Sequence, residues 1–263
     1  MHLKRLIIAG ILLPPLYLYI MHLPPKYFLF LITFFSTIAL AEFYTMFGIE
    51  GLLKYAGVLW GAALMFVFFI SRDLFIDMLL LSALTIMGLR LFIKREPAAS
   101  LSEIAYTVFG LLYIPGLLTF QLSLDKANPQ WIVLLYASVW ASDSAAFYIG
   151  SAIGKRKLYK EISPNKTVAG AVASVFGGVL GAVVIKTLLM HQVSLRAAII
   201  LGTAVGITTI LGDLVESMFK RDAMVKDSSN LVPGHGGVLD KLDGVIFAGP
   251  VFYWLCFNLK LLQ

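Results

Sequence analysis

Residues 168–190 read VAGAVASVFGGVLGAVVIKTLLM and contain a single charged side chain, Lys186. An α-helix needs about 20 mostly apolar residues to cross the hydrocarbon core of a bilayer. Eight further stretches share this character, so the sequence predicts an all-α integral membrane protein with about nine transmembrane helices. The other predicted spans are 3–21, 27–47, 52–70, 74–93, 104–124, 131–154, 195–219 and 244–262.

The composition of the 263-residue chain supports this class. Hydrophobic residues make up 59% and charged residues 14%, whereas a soluble domain carries about 25% charged residues. A soluble enzyme, a disordered chain and a nucleic-acid-binding domain are therefore excluded. A β-barrel is also excluded, because the apolar runs are continuous and do not alternate. The single cysteine, Cys256, excludes an intrachain disulfide.

The first stretch, 3–21, has a second interpretation as a signal peptide, since it follows the basic pair Lys4-Arg5. Pro14-Pro15 interrupts it, and no small-residue cleavage site follows. We therefore expect a retained, kinked span.

Lys and Arg are unevenly distributed between the two sides of the predicted bundle. Fifteen of the 21 lie on the side that holds the N-terminus and the loops after spans 2, 4, 6 and 8. Because cytoplasmic loops are enriched in Lys and Arg, this predicts a cytoplasmic N-terminus in a prokaryotic plasma membrane. The net charge of +6 then reflects topology and not a nucleic-acid surface.

The chain divides by composition into spans 1–5 (1–130) and spans 6–9 (131–263), with cytoplasmic loops 155–167 and 220–243.

The acidic residues concentrate in the second part. Six of the 15 lie between 213 and 243. Asp213, Glu216 and Lys220 have helical spacing and lie on one face. At 1.5 Å per residue, Asp213 lies roughly 10 Å below Lys220, and Asp143 lies about 16 Å from the end of span 6. Acids in a membrane are costly, so these positions predict a polar cavity that opens to the cytoplasm. Glu42 and Asp77 lie in the first part, and we expect them to pair locally between helices with Arg90 or Lys54.

Clustered carboxylates repel one another unless a cation lies between them, and a hard cation such as Mg²⁺ suits oxygen ligands. Neighbouring Lys and Arg residues suit phosphate oxygens. The glycine-rich loop Pro233–Gly237 and the loop Ile162–Thr167 present backbone N–H groups to an anion. A glycine-rich loop by itself is usually only a turn. Likewise, Lys155-Arg156-Lys157 by itself indicates topology, and the Gly150/Gly154 and Gly177/Gly181 spacings indicate helix packing.

The segment 217–243, SMFKRDAMVKDSSNLVPGHGGVLDKLD, closely resembles the signature of phosphatidate cytidylyltransferases, and we call it the signature segment. The preceding Asp213-Leu214-x-Glu216-Ser217 fits the same family. So do three upstream motifs: Trp140-x-x-Asp143, Gly150-x-x-x-Gly154-Lys155 and Ser163-Pro164-x-Lys166-Thr167-x-x-x-Gly170. The resemblance covers about residues 131–250. Lys241 departs from the family, which usually has Arg there.

The resemblance implies that CTP and phosphatidic acid react at the membrane to give CDP-diacylglycerol and pyrophosphate. It implies Mg²⁺ bound mainly by Asp213, Asp240 and Asp243, with support from Asp143 and Glu216, and K⁺ as a candidate second cation. Lys226 and His235 join the three aspartates as expected catalytic residues, and His235 would contact a phosphate or the leaving group. A homodimer is also expected. The nucleotide phosphates would be held by Ser163, Asn165, Lys166, Thr167, Lys220, Arg221, Lys226, Gly236 and Gly237.

The residues alone are compatible with two other functions. A cation-coupled transporter also has buried acids, although it should carry them in both halves. An enzyme of related CTP chemistry on a different lipid, either an archaeal-type lipid or a lipid kinase substrate, is the nearer alternative. A CDP-alcohol phosphotransferase is excluded because its Asp-Gly-x-x-Ala-Arg motif is absent.

Overall fold

The computed structural model describes residues 14–231 and 236–262, and helices dominate this part of the chain. Residues 14–22 form α1. A π-helical turn, Leu112–Gly116, joins α5 to α6. The other helices are α2 (Pro25–Met46), α3 (Gly51–Ile70), α4 (Leu74–Ile93), α5 (Ser100–Leu111), α6 (Leu117–Ala127), α7 (Gln130–Ile153), α8 (Val168–Leu189), α9 (Leu195–Asp222) and α10 (Leu239–Asn258).

The described residues contain seven helical segments that are long and apolar enough to cross a membrane, which identifies a multi-pass membrane protein. They are α2, α3, α4, the continuous segment Ser100–Ala127, α7, α8 and α9, and they match seven predicted spans closely. Predicted span 244–262 corresponds to the helix α10. However, α10 is not among the seven, and three charged residues lie in its first five positions. Most of predicted span 3–21 lies outside the described residues, so the total of nine stays a prediction.

Two contacts connect the ends of helices with segments that are distant in the sequence. Arg221, near the end of α9, donates to the carbonyl of Ile162 in the loop between α7 and α8 (3.3 Å). Near the opposite ends, Arg72 after α3 donates to the hydroxyl of Tyr253 on α10 (2.9 Å). The assignment of the signature-segment side to the cytoplasm rests on the Lys and Arg distribution.

Glycine allows α7, α8 and α9 to pack with their backbones in close contact. A Cβ at Gly181 would lie 2.8 Å from the carbonyl oxygen of Ala137 on α7, and one at Gly202 would lie 2.6 Å from that of Gly178 on α8. Small residues allow such approach where lipid gives no hydrophobic drive to association. The Gly177/Gly181 spacing thus packs helices within the chain, and the predicted homodimer rests on the family resemblance alone.

The loop 155–167, which we predicted to be cytoplasmic, contains secondary structure that was not predicted. Its residues form an antiparallel hairpin of β1 (Lys157–Tyr159) and β2 (Ser163–Thr167). At the end of β2, the Thr167 hydroxyl accepts a hydrogen bond from the Gly170 N–H (3.1 Å) and so caps α8. The hairpin therefore joins α8 at a fixed point and places Lys166 beside the helix bundle.

The close backbone packing predicts that Gly202→Ala destabilises the protein. The new methyl group would push α9 away from α8, and overpacking of this kind costs about 1–3 kcal/mol. We expect a lower thermal unfolding temperature in detergent than for the wild type. Gly88→Ala on α4 is the matched control, because a Cβ there would meet no side chain or neighbouring helix of the described residues within 4 Å. Equal unfolding temperatures for the two variants would contradict the packing account.

Candidate functional site

Helix α9 carries the stripe of polar side chains that its sequence spacing predicts. The Ser217 hydroxyl donates to Asp213 Oδ1 (3.3 Å), and Lys220 Nζ donates to Glu216 Oε2 (3.0 Å), both one turn apart. Glu216 is buried. The predicted stripe is therefore confirmed, and it faces the interior of the bundle near the helix end.

Lys166 on β2 lies among three acids from three different helices. Its ammonium group is ion-paired with Asp213 on α9, and it interacts electrostatically with Asp143 on α7 and Asp243 on α10. Asp243 also interacts with both other aspartates. We call these four residues the Lys166 group. The capped hairpin thus brings its lysine to acids that are up to 100 residues apart in the sequence.

A second lysine lies between two further acids. Lys220 Nζ donates to Glu216 Oε2 and to Asp240 Oδ1 on α10 (2.7 Å), and all three side chains are largely buried. These three residues form the Lys220 group. Glu216 also interacts electrostatically with Asp243, which connects the two groups into one charged cluster. The five acids predicted as metal ligands therefore belong to one cluster, and it includes two of the predicted phosphate-binding lysines.

Asp240 mainly organises the signature segment. Its Oδ2 accepts hydrogen bonds from the Gly237 N–H (2.7 Å) and from the backbone N–H and hydroxyl of Ser228 (both 3.1 Å). Together with Lys220 on Oδ1, these donors occupy both carboxylate oxygens. The Gly237 N–H, which we predicted would face a phosphate, is directed to Asp240 in this structure.

The prediction for Glu42 is wrong. Its carboxylate does not pair with Arg90 or Lys54 but accepts hydrogen bonds from the signature segment, at Ser228, Ser229 and the first amides of α10. Arg90 instead pairs with Glu103, and Lys54 donates to Thr45. The rarity of acids inside membranes was the available signal for Glu42, but its location in the first part of the chain favoured a local partner. No ion pair of the described residues includes Asp77, so the structure does not show its predicted pairing with Arg90 or Lys54.

The remaining predicted phosphate-binding residues lie around the cluster or outside the described residues. Arg221 is exposed and donates to the carbonyls of Ile162 and Val225 (3.3 and 3.1 Å), so it ties the hairpin to the signature segment. Lys226 and Asn165 are exposed, and Ser163 is half-buried. Gly236 has a φ of +83°, a conformation that favours glycine. His235 and the adjoining residues 232–234 lie outside the described residues.

Three buried hydroxyl groups near the cluster were missed by sequence reasoning. Tyr113 on the π-helical turn interacts electrostatically with Glu216 and Asp243, and its hydroxyl has no hydrogen-bond partner among the described residues. The hydroxyls of Ser142 and Thr209 also have no hydrogen-bond partner among the described residues. Ser142 directly precedes Asp143 on α7, and Thr209 lies one turn before Asp213 on α9. The sequence could have indicated Ser142, because it adjoins the predicted metal ligand Asp143. It gave no indication of Tyr113, which lies in the first part of the chain.

The donor set fits a hard divalent cation. The five carboxyl groups outnumber the lysines that interact with them, which are Lys166, Lys220 and Lys241. Glu216 Oε1 is buried without a hydrogen-bond donor among the described residues. No three His, Cys, Asp or Glu side chains in this part of the chain converge closely enough to hold a metal ion by themselves. Mg²⁺ commonly binds through one or two carboxylates and completes its shell with water and substrate phosphates.

These features define a multi-pass membrane protein with a cluster of lysines and carboxylates that extends from the helix ends to Asp143 within α7, beside Gly237. The chain belongs to the cytidylyltransferase family, whose model matches residues 3–259. The sequence resemblance drawn from the signature segment is thereby confirmed at the level of the family.

Curated bacterial proteins give the same result. The chain is 37% identical to the phosphatidate cytidylyltransferase of Bacillus subtilis over an alignment of 160 residues that covers 58% of each protein. It is 40% identical to that of Haemophilus influenzae over 157 residues (55% of this chain, 53% of the relative). For the Synechocystis enzyme the identity is 43% over 122 residues (46% and 41%). The chain thus spans about half the length of the curated relatives it matches.

The Lys220 group predicts a strong effect of Lys220→Gln on stability. Removing one partner from a buried ion pair leaves the others uncompensated, which costs about 3–5 kcal/mol. We expect a clear drop in thermal unfolding temperature in detergent. The matched control is Lys226→Gln, which makes the same chemical change at an exposed lysine of the signature segment and should unfold like the wild type. An unchanged unfolding temperature for Lys220→Gln would refute the structural role of the pair.

Proposed function

We propose that this protein is a phosphatidate cytidylyltransferase that condenses CTP with phosphatidic acid to give CDP-diacylglycerol and pyrophosphate. One observation carries the proposal. The signature segment, which resembles this family, supplies Lys220, Asp240 and Asp243 to a single cluster at the helix ends. Such a cluster suits phosphate groups, since lysines bind phosphate oxygens and carboxylates bind the accompanying cation.

The reaction needs no enzyme nucleophile. A phosphate oxygen of phosphatidic acid attacks the α-phosphorus of CTP and forms a new P–O bond. The bond between the α-phosphorus and the bridging oxygen breaks, and pyrophosphate leaves with that oxygen. Catalysis by the protein consists of positioning both phosphates and stabilising the charge that develops on their oxygens. The buried charges of the cluster suit this task because electrostatic interactions are stronger away from water.

The basic residues around the cluster would hold the nucleotide. Exposed Lys226 and Arg221 lie on the signature segment, and Lys166 lies on the capped hairpin. Lys241, which replaces the usual Arg, is exposed one residue from Asp240 and offers a point charge without the bidentate geometry of Arg. We expect His235 to contact a phosphate or the leaving group. Phosphatidic acid would approach from the bilayer with its phosphate at the helix ends.

Asp213 and Asp243 would hold Mg²⁺, with Asp143 beside them, because Asp240 is already occupied by four donors. Glu216, with its unpartnered oxygen, would support them. The cation would neutralise the phosphate oxygens during the transfer. K⁺ as a second cation and a homodimer stay predictions that follow from the resemblance.

The proposed site faces the cytoplasm of a bacterial cell, where CTP is made. This orientation rests on the Lys and Arg distribution. A related CTP-dependent reaction on a different lipid is the alternative that the residues left open, and an assay with several lipids separates the two. The curated relatives' names favour phosphatidate.

Purified protein given CTP, phosphatidic acid and Mg²⁺ in detergent micelles should form CDP-diacylglycerol, identified by mass spectrometry. Asp243→Asn should lower the rate at least 100-fold, since loss of a group that stabilises transition-state charge costs about 10²–10³ in kcat. Asp222→Asn at the exposed end of α9 is the matched control and should retain activity. Product from an archaeal-type lipid or diacylglycerol, and none from phosphatidic acid, would reject the proposal.

A further inference from the structure

We infer that Glu42, on a helix far from the signature segment in sequence, is a positioning residue for the reaction. Its carboxylate fixes Ser228 and Ser229 of the signature segment and the start of α10, and through them Asp240 and Asp243. This inference rests on the proposed function, and it adds a residue from the first part of the chain to a site otherwise built from the second.

The carboxylate of Glu42 accepts four hydrogen bonds from the signature segment. Oε1 accepts from the Ser229 hydroxyl (2.6 Å) and the Val238 N–H (3.0 Å). Oε2 accepts from the Ser228 hydroxyl (3.1 Å) and the Leu239 N–H (2.8 Å). The two backbone donors belong to the residue before α10 and to its first residue. One side chain therefore holds both ends of the segment 228–239.

The setting makes these hydrogen bonds strong. Glu42 is 7% exposed, and no ion pair of the described residues includes it. Its negative charge is therefore compensated by N–H and O–H donors, and it lies at the positive end of the α10 dipole. Hydrogen bonds to a charged acceptor are about twice as strong as neutral ones.

Glu42 acts through the loop and not on a substrate. A carboxylate has about four acceptor sites, and the four donors occupy them. Asp240 binds the same segment, at Ser228 and Gly237. The Ser228 hydroxyl lies 3.1 Å from a carboxylate oxygen of each acid, so its one proton is shared between Glu42 and Asp240 and connects them.

Gly237 gives independent support for this close approach. A Cβ at this position would overlap with the Ser228 hydroxyl and with Glu42 Oε2. The glycine is thus required by the contact between the loop and Glu42, whatever the loop does with phosphate. The contact joins α2 to the signature segment across 186 residues of sequence.

The test compares Glu42→Gln with the matched control Glu50→Gln, which makes the same change at an exposed glutamate in the turn after α2. Glutamine keeps the size but presents an NH₂ group to two donors. Two quantities are measured on purified full-length protein: hydrogen exchange in peptides that cover 224–242, and kcat and KM with CTP and phosphatidic acid.

In Glu42→Gln we expect exchange in that region to become roughly 10- to 100-fold faster, with exchange in α8 unchanged. We expect kcat to fall by about 10- to 100-fold, as for a small displacement of catalytic groups, with a smaller change in KM for CTP. Glu50→Gln should match the wild type in both. Adding Ser229→Ala to Glu42→Gln should cause little further loss, because both changes break the same hydrogen bond.

Wild-type exchange and wild-type kcat in Glu42→Gln would overturn the inference. If wild-type protein forms no CDP-diacylglycerol, the proposed function fails, and the exchange measurement still decides whether Glu42 anchors the loop. If Glu42→Gln does not fold, Ser229→Ala alone tests the same hydrogen bond. It should show faster exchange at 224–242 and a smaller fall in kcat, and unchanged values would reject the anchor.

Discussion

The structure depends on compensating carboxylate charge inside a helix bundle. An unpaired charge in a low-dielectric interior is so costly that each acid needs a cation or several hydrogen-bond donors close by. Lys166 and Lys220 supply the cations for the two groups of the cluster. Backbone and hydroxyl donors of the signature segment supply the rest, to Asp240 and Glu42. The capped hairpin, the close packing of α7–α9 and the loop conformation bring these partners together.

Charge compensation also connects the fold to the proposed chemistry. The lysines that neutralise the acids are among those that would face the nucleotide phosphates. When a phosphate group binds, these amino groups would pair with its oxygens and no longer with the carboxylates. The carboxylates would then favour a cation. In this account the site is stable without substrate and electrostatically suited to a nucleotide that arrives with a divalent ion. In the proposed site Asp240 contributes by fixing the signature segment, and Asp213 and Asp243 would hold the cation.

The sequence predicted features that arise from local periodicity. Seven apolar stretches match seven helices, because spanning length and composition are local properties. The stripe of Asp213, Glu216 and Lys220 follows from the helical repeat. The hairpin at 157–167 was missed because its stability depends on pairing and on the cap at Thr167. Glu42 was assigned the wrong partner because its contact crosses 186 residues, and no local pattern in one sequence reports such a contact.

The most direct test of the central claim follows the fate of the nucleotide phosphates. Wild-type protein is incubated with phosphatidic acid and CTP that carries ³²P at either the α or the γ position, and the lipid fraction is counted. Transfer of a cytidylyl group predicts that α label enters the lipid and that γ label is released as pyrophosphate. Appearance of the γ label in the lipid, or of neither label, would contradict the account.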